Sequence, residues 1–310
     1  MFPHTASIVA LVLATSTAIA QLSSPDSKPR ITDRSHLMHA IEVSEAELKQ
    51  SETAHLSAQQ LAMIYCNLGE RYRDAGWFPK SEDAMLHAIS LLRKGSPTLL
   101  ADEISNLATL HIEMNEPRQA EKDVLEGLSV REAIGDPVGV ALSHGDLAAI
   151  YVKQRQFRKA MDSATQAIEV LDNNPKAKTA DRITARQTLA FAFMGMHRLN
   201  DALPLLEDSV RLAAAASGPD SLLLGQADYL LGEAYWQAGK LDLAAELMER
   251  GITAMRPYVG WGHPVYLQVV ERYAQLLRKR GEPEAAASAE REVRQATQVV
   301  DIRSIAARPK

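Results

Sequence analysis

The strongest constraint on the fold is a small residue that recurs six times along the chain at almost constant spacing. Successive members are separated by 39, 40, 42, 42 and 42 residues. Its positions are Gly69, Ala108, Ala148, Ala190, Gly232 and Ala274. This periodicity predicts that the 310-residue chain is an array of similar structural units rather than two unrelated domains.

Two further positions recur in phase with the small residue. Three residues after it comes a position that is usually aromatic, which we call the tyrosine position. It is occupied by Tyr72, His111, Tyr151, Phe193, Tyr235 and Leu277. A second small position follows, with Ser81, Ala120, Ala160, Ala202, Ala244 and Ala286. Small residues at both places let two backbones approach closely, so each unit is predicted to be a pair of packed helices.

The fifth repeat shows how one unit is expected to fold. Gly232, Ala244 and Gly251 lie where a neighbouring helix is predicted to cross, and Tyr235 fills the space beside them. Gly239 lies where the first helix must end, because glycine adopts the left-handed conformation of a helix terminus without steric cost. The predicted unit is therefore a helix, a tight turn and a second helix.

This spacing resembles the tetratricopeptide repeat, a helix–turn–helix unit that stacks into a superhelix. The segments GDPVGVA at 135–141 and GWGHPVY at 260–266 are similar to the connectors between the 42-residue repeats of kinesin light chain, and ISNLATLH at 104–111 is similar to their core. The resemblance covers residues 57–298. It implies an all-α fold, a right-handed α-α superhelix that acts as a scaffold, without naming what the scaffold holds.

The chain is expected to contain five segments. Residues 1–20 are predicted to be a signal peptide and 21–31 a linker. Residues 32–56 are predicted to form a helix that caps the open end of the array, as the terminal units of solenoids must. Residues 57–298 make six helix pairs, and 299–310 form a C-terminal tail.

Two residues depart from the repeat. Pro204 lies inside the predicted second helix of the fourth pair, where it removes a hydrogen bond and should bend the helix. Trp77 lies on the turn of the first pair. It either covers a neighbouring loop or serves as an exposed contact residue.

The N-terminus predicts export. An apolar run from Ile8 to Ala20 ends in Ala-Ile-Ala before Gln21, which is the pattern of a cleaved signal peptide. Because the first five residues carry no Lys or Arg, an uncleaved anchor and a misassigned start remain alternatives. The run is too short to span a bilayer comfortably. We therefore expect a periplasmic or secreted protein with no stable membrane insertion after cleavage. The lone cysteine, Cys66, excludes an intrachain disulfide.

Nothing in the sequence predicts catalysis, a metal or a cofactor. There is no G-x-S-x-G motif, Gly-rich phosphate loop or Cys–His pairing. His36 and His39 lie three residues apart without further zinc ligands. His111 is expected to be a packed core residue and His144 a half-buried structural one. The net charge of −5 argues against nucleic acid as a partner. Late basic residues alternate with glutamates, which favours a salt-bridged surface.

The first helices of repeats four and five predict a binding row. In tetratricopeptide proteins these helices line the concave wall, and one of their faces follows the spacing i, i+3, i+7, i+10. The predicted partner-binding residues of this row are Gln187, Phe191, Met194, Gln226, Tyr229, Glu233 and Trp236. Aromatic and methionine side chains would anchor a partner there. The alternative is that these side chains belong to the core.

A second site is implied by the resemblance. Asn67 and Asn106 occupy equivalent positions in repeats one and two, where asparagines of related proteins clamp the backbone of a bound peptide. An amide can do so because it offers a donor and an acceptor together. Glu70 and Arg73 lie beside them. Later repeats have Asp146, Thr188, Leu230 and Arg272 at this position, so the clamp would span two repeats only.

Two functional classes remain open. The first is an exported, non-enzymatic adaptor that binds a protein or peptide partner through its concave face. The second is a structural subunit of an envelope assembly that uses end or convex surfaces. The sequence leaves the partner and the oligomeric state undetermined.

Overall fold

The computed structural model describes residues 34–51, 56–218, 221–259 and 264–306. The predicted signal peptide, the linker and the last four residues lie outside this range. The described chain divides into two compact units. We call residues 34–177 the N-unit and residues 178–306 the C-unit.

All regular structure in the described residues is helical, so the predicted all-α architecture of consecutive helix pairs is confirmed. The helices of the N-unit are α1 Arg34–Ser51, α2 Ala58–Asp74, α3 Phe78–Leu92, α4 Pro97–Glu113, α5 Pro117–Ile134, α6 Pro137–Lys153 and α7 Phe157–Asn173. Those of the C-unit are α8 Thr179–Gly195, α9 Leu199–Ser217, α10 Leu222–Gln237, α11 Leu241–Val259, α12 Pro264–Arg280 and α13 Pro283–Ala306. No helix in this part of the chain combines the length and hydropathy needed to cross a bilayer.

The helices begin where the side chains supply N-terminal caps. Ser57 and Gln60 form a capping box at α2, in which the Gln60 amide donates to Ser57 Oγ over 3.2 Å and the Ser57 amide donates to Gln60 Oε1 over 2.9 Å. Three other helices have a simpler cap, in which the N-cap side chain accepts one backbone amide hydrogen bond. The capping residues are Ser96 at α4, Asp136 at α6 and Ser221 at α10. These caps satisfy amides that a helix terminus leaves without partners.

Each pair turns through one residue in the left-handed conformation. The turn residues are Gly76 (φ 74°), Asn115 (62°), Arg155 (60°), His197 (60°), Gly239 (79°) and Gly281 (89°). Three of the six are not glycine and therefore occupy a conformation that is unfavourable for a residue with a Cβ. The turn is set by the packing of the pair rather than by glycine alone.

The two helices of a pair cross at the small positions. A Cβ added to Gly232 would lie 2.7 Å from Met248 Cγ and 3.0 Å from the carbonyl oxygen of Ala244. At the equivalent crossing in the first pair, Ser81 Oγ donates to the carbonyl of Gly69 over 2.7 Å. These backbones approach so closely that only small residues fit.

The tyrosine position links consecutive repeats. The hydroxyl of Tyr72 donates to Glu45 on α1, and that of Tyr235 donates to Glu207 on α9, both over 2.7 Å. His111 in the same position lies 3.3 Å from Glu82, measured from Nε2 to Oε1. At Tyr72, His111 and Tyr235 the polar end of the ring therefore joins a first helix to the helix before it.

Helix α1 packs on the first pair. Ile41 lies in a cluster with Leu68 and Tyr72. Arg71 Nη1 donates to the carbonyl of Ala40 over 2.7 Å and also bonds Ser44. The lone helix thus covers the apolar surface that α2 would otherwise expose.

The structure shows the surroundings of Pro204 and Trp77, the two residues that depart from the repeat pattern. Helix α9 continues as one helix through Pro204. Trp77 is half-buried, with its ring centroid 5.8 Å from that of Tyr72 and Lys80 Nζ 4.8 Å from its centroid. It therefore packs on side chains of the first pair and is not fully exposed.

Candidate protein-binding faces

The first candidate surface lies on α2 and α4. It consists of Met63, Cys66, Asn67, Glu70 and Asn106, with Glu103 beneath them, and we call it the N-unit face. Asn67 and Glu70 are exposed and Asn106 is half-buried, so both predicted clamp asparagines are accessible in part. Arg73, the fourth residue predicted here, is 8% exposed and forms no ion pair within the described residues.

Glu103 is the most unusual group of the N-unit face. Its side chain is buried, at 2% exposure, and Oε2 accepts a hydrogen bond of 3.1 Å from Asn106 Nδ2. Oε1 has no hydrogen-bond partner among the described residues. Burial raises the pKa of Glu103, hydrogen bonds with the Cys66 thiol and the Asn106 amide oppose the rise, and Glu70 and Arg73 act in opposite directions with smaller effects. At Oε1 the described residues therefore leave a buried acceptor without a strong donor, since the neighbouring Cys66 thiol donates only weakly.

Cys66 lies against this carboxyl group. Its own burial and the neighbouring Glu103 raise the pKa of the thiol well above its ordinary value. The sulfur is therefore a protonated thiol at neutral pH, and this is the opposite of what a nucleophilic cysteine requires. Cys66 contributes a small, weakly polar wall to the N-unit face.

The predicted row of repeats four and five is buried, and the expectation that it presents an exposed surface is wrong in the free chain. Its buried members are Gln187, Phe191, Met194, Gln226, Tyr229 and Glu233, none more than 4% exposed. Every residue of α10 from Leu224 to Ala234 is buried, because α9 and α11 pack on two sides of the helix and Arg272 of α12 covers Glu233. Periodicity identified the row but did not reveal that it is enclosed.

A polar cluster lies at the end of this row. Arg272 donates from Nε to Glu233 Oε1 over 3.0 Å and from Nη2 to Oε2 over 3.3 Å, and the Tyr229 hydroxyl donates to Oε1 over 3.2 Å. Burial raises the pKa of Glu233 and Arg272 opposes the rise. The Arg272 guanidinium also lies 4.0 Å from the centroid of the Trp236 ring, within the range of a cation–π contact. Trp236 is half-buried, so this predicted anchor remains partly accessible. One face of its ring is already in contact with Arg272.

In the C-unit, Gln187 shares one property with Glu103, although it lies at a different repeat position. Its Nε2 is buried and has no hydrogen-bond partner among the described residues. Most buried polar groups are paired. An acceptor group from a ligand would therefore be stabilised if it reached this unpaired amide donor.

The histidines serve structural roles. His111 is buried, and its Nδ1 lies 2.5 Å from Asp123 Oδ2, in agreement with its expected core position. Burial alone would lower the pKa of His111, but Asp123 and Glu82 raise it overall. His144 is half-buried, and burial lowers its pKa. His39 is exposed beside Glu42, and no group of three metal-binding side chains occurs in the described ranges.

Charged pairs cover the C-terminal helices as the sequence predicted. Arg278 Nη2 lies 2.7 Å from Glu290 Oε1, Arg256 Nη2 lies 3.0 Å from Glu292 Oε1, and Arg280 pairs with Glu282. Exposed pairs of this kind contribute little to stability.

Sequence reasoning missed Met63, Glu103 and Arg272 as members of these surfaces. Glu103 left a signal, since it is the only charged residue at its repeat position. The equivalent residues are Ile64, Ser143, Ala185, Ala227 and Val269. Arg272 stands at the asparagine position of repeat six, where it pairs backward with repeat five instead of facing a ligand.

Comparisons with known proteins agree with this architecture. The family model described as "Tetratricopeptide repeat" matches residues 181–256. Protein KINESIN LIGHT CHAIN-RELATED 2 of Arabidopsis thaliana is 23% identical over 229 residues, which are 71% of this chain and 34% of that protein. The chain thus spans about a third of the length of the curated relatives it matches.

Two solved structures show the same fold. BtubC (BKLC) from P. vanneervenii has a TM-score of 0.57 and 18% identity, over 88% of this chain and 94% of that one. NprR in complex with its cognate peptide NprX has a TM-score of 0.59 and 16% identity, over 85% of this chain and 77% of that one. The chain is therefore similar to tetratricopeptide-repeat proteins and has their fold. Its repeats resemble those of kinesin light chain, as the spacing and connectors predicted.

Proposed function

We propose that the protein is an exported scaffold that binds a partner protein or peptide through the N-unit face. The observation that carries this proposal is the pair Asn67 and Asn106. They occupy equivalent positions on α2 and α4 and remain exposed and half-exposed, while most of the binding row predicted on α8 and α10 is buried. An accessible amide can donate to a partner's carbonyl and accept from its N–H at once.

The hydrogen bonds around Asn106 support this role. Its Nδ2 donates to Glu103, so that interaction fixes the orientation of the amide and leaves Oδ1 on the other side of the group. A pre-oriented acceptor loses little entropy when a ligand binds. NprR, which shares the fold, is named as a complex with a peptide, and this supports a peptide as the class of ligand.

Export is part of the proposal. It depends on the apolar run from Ile8 to Ala20, which lies outside the described residues. Mass spectrometry of the protein purified from its native host should find Gln21 as the first residue. Recovery of chains that retain Met1 from the cytosol would contradict export without affecting the binding proposal.

A second candidate is a subunit of an envelope assembly that uses its outer helices. Leu86 on α3 and Leu125 on α5 favour it, because they lie at equivalent positions 39 residues apart and are 48% and 46% exposed. Two leucines exposed in register form a small apolar stripe that a partner could cover.

Site-specific photocrosslinking distinguishes the two candidates. A photoreactive amino acid is placed at Asn67 in one variant and at Leu125 in another, and both proteins are irradiated in the native host. Adducts from position 67 and none from position 125 are expected. Adducts from position 125 alone would replace the proposed function by the assembly subunit.

A further inference from the structure

Glu103 presents an incomplete hydrogen-bond arrangement at the N-unit face. One carboxylate oxygen is paired with Asn106, and the other has no partner among the described residues although the side chain is 2% exposed. A buried carboxylate with an unpaired oxygen is unfavourable, because the group has lost its hydration without a full replacement. A ligand that supplies a donor to Oε1 would recover that loss.

The charges around Glu103 favour a cation as that donor. Glu70 adds a second carboxylate to the same face, and both it and burial make the ionised form of Glu103 harder to maintain. Arg73 acts in the opposite direction but forms no ion pair with either acid in this part of the chain. The N-unit face therefore has an excess of negative charge over a buried acceptor.

An apolar contact lies beside the carboxylates. Met63 is 52% exposed and shares one face of α2 with Cys66, Asn67 and Glu70, at spacings of three, four and seven residues. Methionine is flexible and polarizable, so it adapts to side chains of different shape. A ligand group with an aliphatic stem and a cationic head matches both the methionine and the acids.

We propose that the N-unit face recognises a lysine or arginine side chain of its partner. The cationic head donates to Oε1 of Glu103, Glu70 adds a second negative charge, and the aliphatic stem lies against Met63. This inference rests on the proposed function, since it names the chemistry of the partner segment that the two asparagines hold.

Selection from a peptide library tests the inference without knowledge of the natural partner. A phage-displayed library of short random linear peptides is panned against the full chain, the Glu103→Gln variant and the Glu169→Gln variant. Glu169 is an exposed carboxylate on α7 of the same unit, so its substitution removes the same charge elsewhere. Lys or Arg should be enriched at one position by the native chain and by Glu169→Gln, but not by Glu103→Gln.

A synthetic peptide from the selection gives the quantitative test. Replacement of its selected lysine by norleucine, or of a selected arginine by citrulline, should weaken binding about ten-fold or more, as expected for the loss of a charge-assisted hydrogen bond. Glu103→Gln should remove that difference while its melting temperature stays at or above that of the native chain. Binders without a basic residue, or a basic preference that survives in Glu103→Gln, would overturn the inference alone. A library that yields no binder would count against both the inference and the peptide-binding function.

Discussion

Arg272 on α12 makes a two-point ion pair with Glu233 on α10, so the first helices of repeats five and six are joined by a buried carboxylate and its arginine. Glu233 is 0% exposed and its pair is completed by Tyr229. A buried pair of this kind contributes little net stability, but the loss of one partner is costly because it leaves the other charge uncompensated.

Arg272→Met should therefore lower the free energy of unfolding of the C-unit by about 3–5 kcal/mol. The double variant Arg272→Met, Glu233→Met should recover most of that loss, since both charges are gone and the volume is retained. Chemical denaturation of the native chain and these two variants gives the comparison. A double variant as unstable as Arg272→Met would show that the ion pair is not the source of the effect.

Gly232→Ala should destabilise the C-unit by about 1–3 kcal/mol through overpacking. The new Cβ would lie 2.7 Å from Met248 Cγ and 3.0 Å from the carbonyl oxygen of Ala244. The matched control is Gly145→Ala on α6, where a Cβ meets nothing within 4 Å. That change should stabilise by about 0.5–1 kcal/mol, because glycine inside a helix is unfavourable relative to alanine. Equal effects of the two substitutions in urea denaturation would contradict the close crossing.

Arg155→Gly should stabilise the N-unit by up to about 1 kcal/mol, because Arg155 turns at φ 60° and only glycine adopts that conformation without strain. Gly239→Ala provides the reverse experiment at the equivalent turn. Its φ is 79° and a Cβ there meets nothing within 4 Å, so the backbone alone is tested. A loss of about 1 kcal/mol is expected there. Thermal melts in which Arg155→Gly is destabilising would mean that the arginine side chain outweighs its backbone strain.

The stability of the N-unit should fall as pH rises above 6.5. Asp123 and Glu82 raise the pKa of His111 above its ordinary value of 6.5 despite the opposing effect of burial. As pH rises, the unfolded state therefore loses the His111 proton at a lower pH than the folded state does. The resulting stabilisation is complete below pH 6.5 and is lost as pH rises through the pKa of His111 in the folded state.

His144 affects the stability of the N-unit in a lower range of pH. Burial lowers its pKa, so its contribution changes below pH 6.5 and does not obscure the loss above it. Urea denaturation at a series of pH values above 6.5 measures the effect. The Asp123→Asn variant removes the main partner of His111 and should show a flatter profile. The same slope in both proteins would assign the pH dependence to another group.

The turns and crossings were predictable because they depend on local chemistry. Gly239 ends the first helix of its pair with a positive φ, as its place in the repeat predicted, and Asn115 and Arg155 turn at the equivalent positions. The tyrosine position was predictable for the same reason, since a large ring beside two small residues must pack. Repetition makes each such inference stronger than it would be in a single unit.

The binding surfaces were less predictable because they depend on which side chains meet across repeats. The i, i+3, i+7 spacing placed Phe191 and Tyr229 on one predicted face of their respective helices, but it carries no information about what covers those faces. Glu103 was missed because its significance lies in an unpaired oxygen, which only three-dimensional contacts reveal. Arg272 was noted as a break in the asparagine pattern, and its pairing with Glu233 requires the geometry of two stacked helices.

The central claim is that the partner binds at the N-unit face. The affinity of three variants for the partner identified by photocrosslinking tests it most directly. Asn67→Ala combined with Asn106→Ala should weaken binding about thirty-fold or more, as expected when central contacts of an interface are removed. Asn173→Ala, on α7, should bind as the native chain does. Substitution of Arg278, Lys279 and Arg280 by glutamine should also leave the affinity unchanged. Loss of the partner in the charge variant, with full binding by the asparagine pair variant, would contradict the account and place the interface at the C-terminal helices.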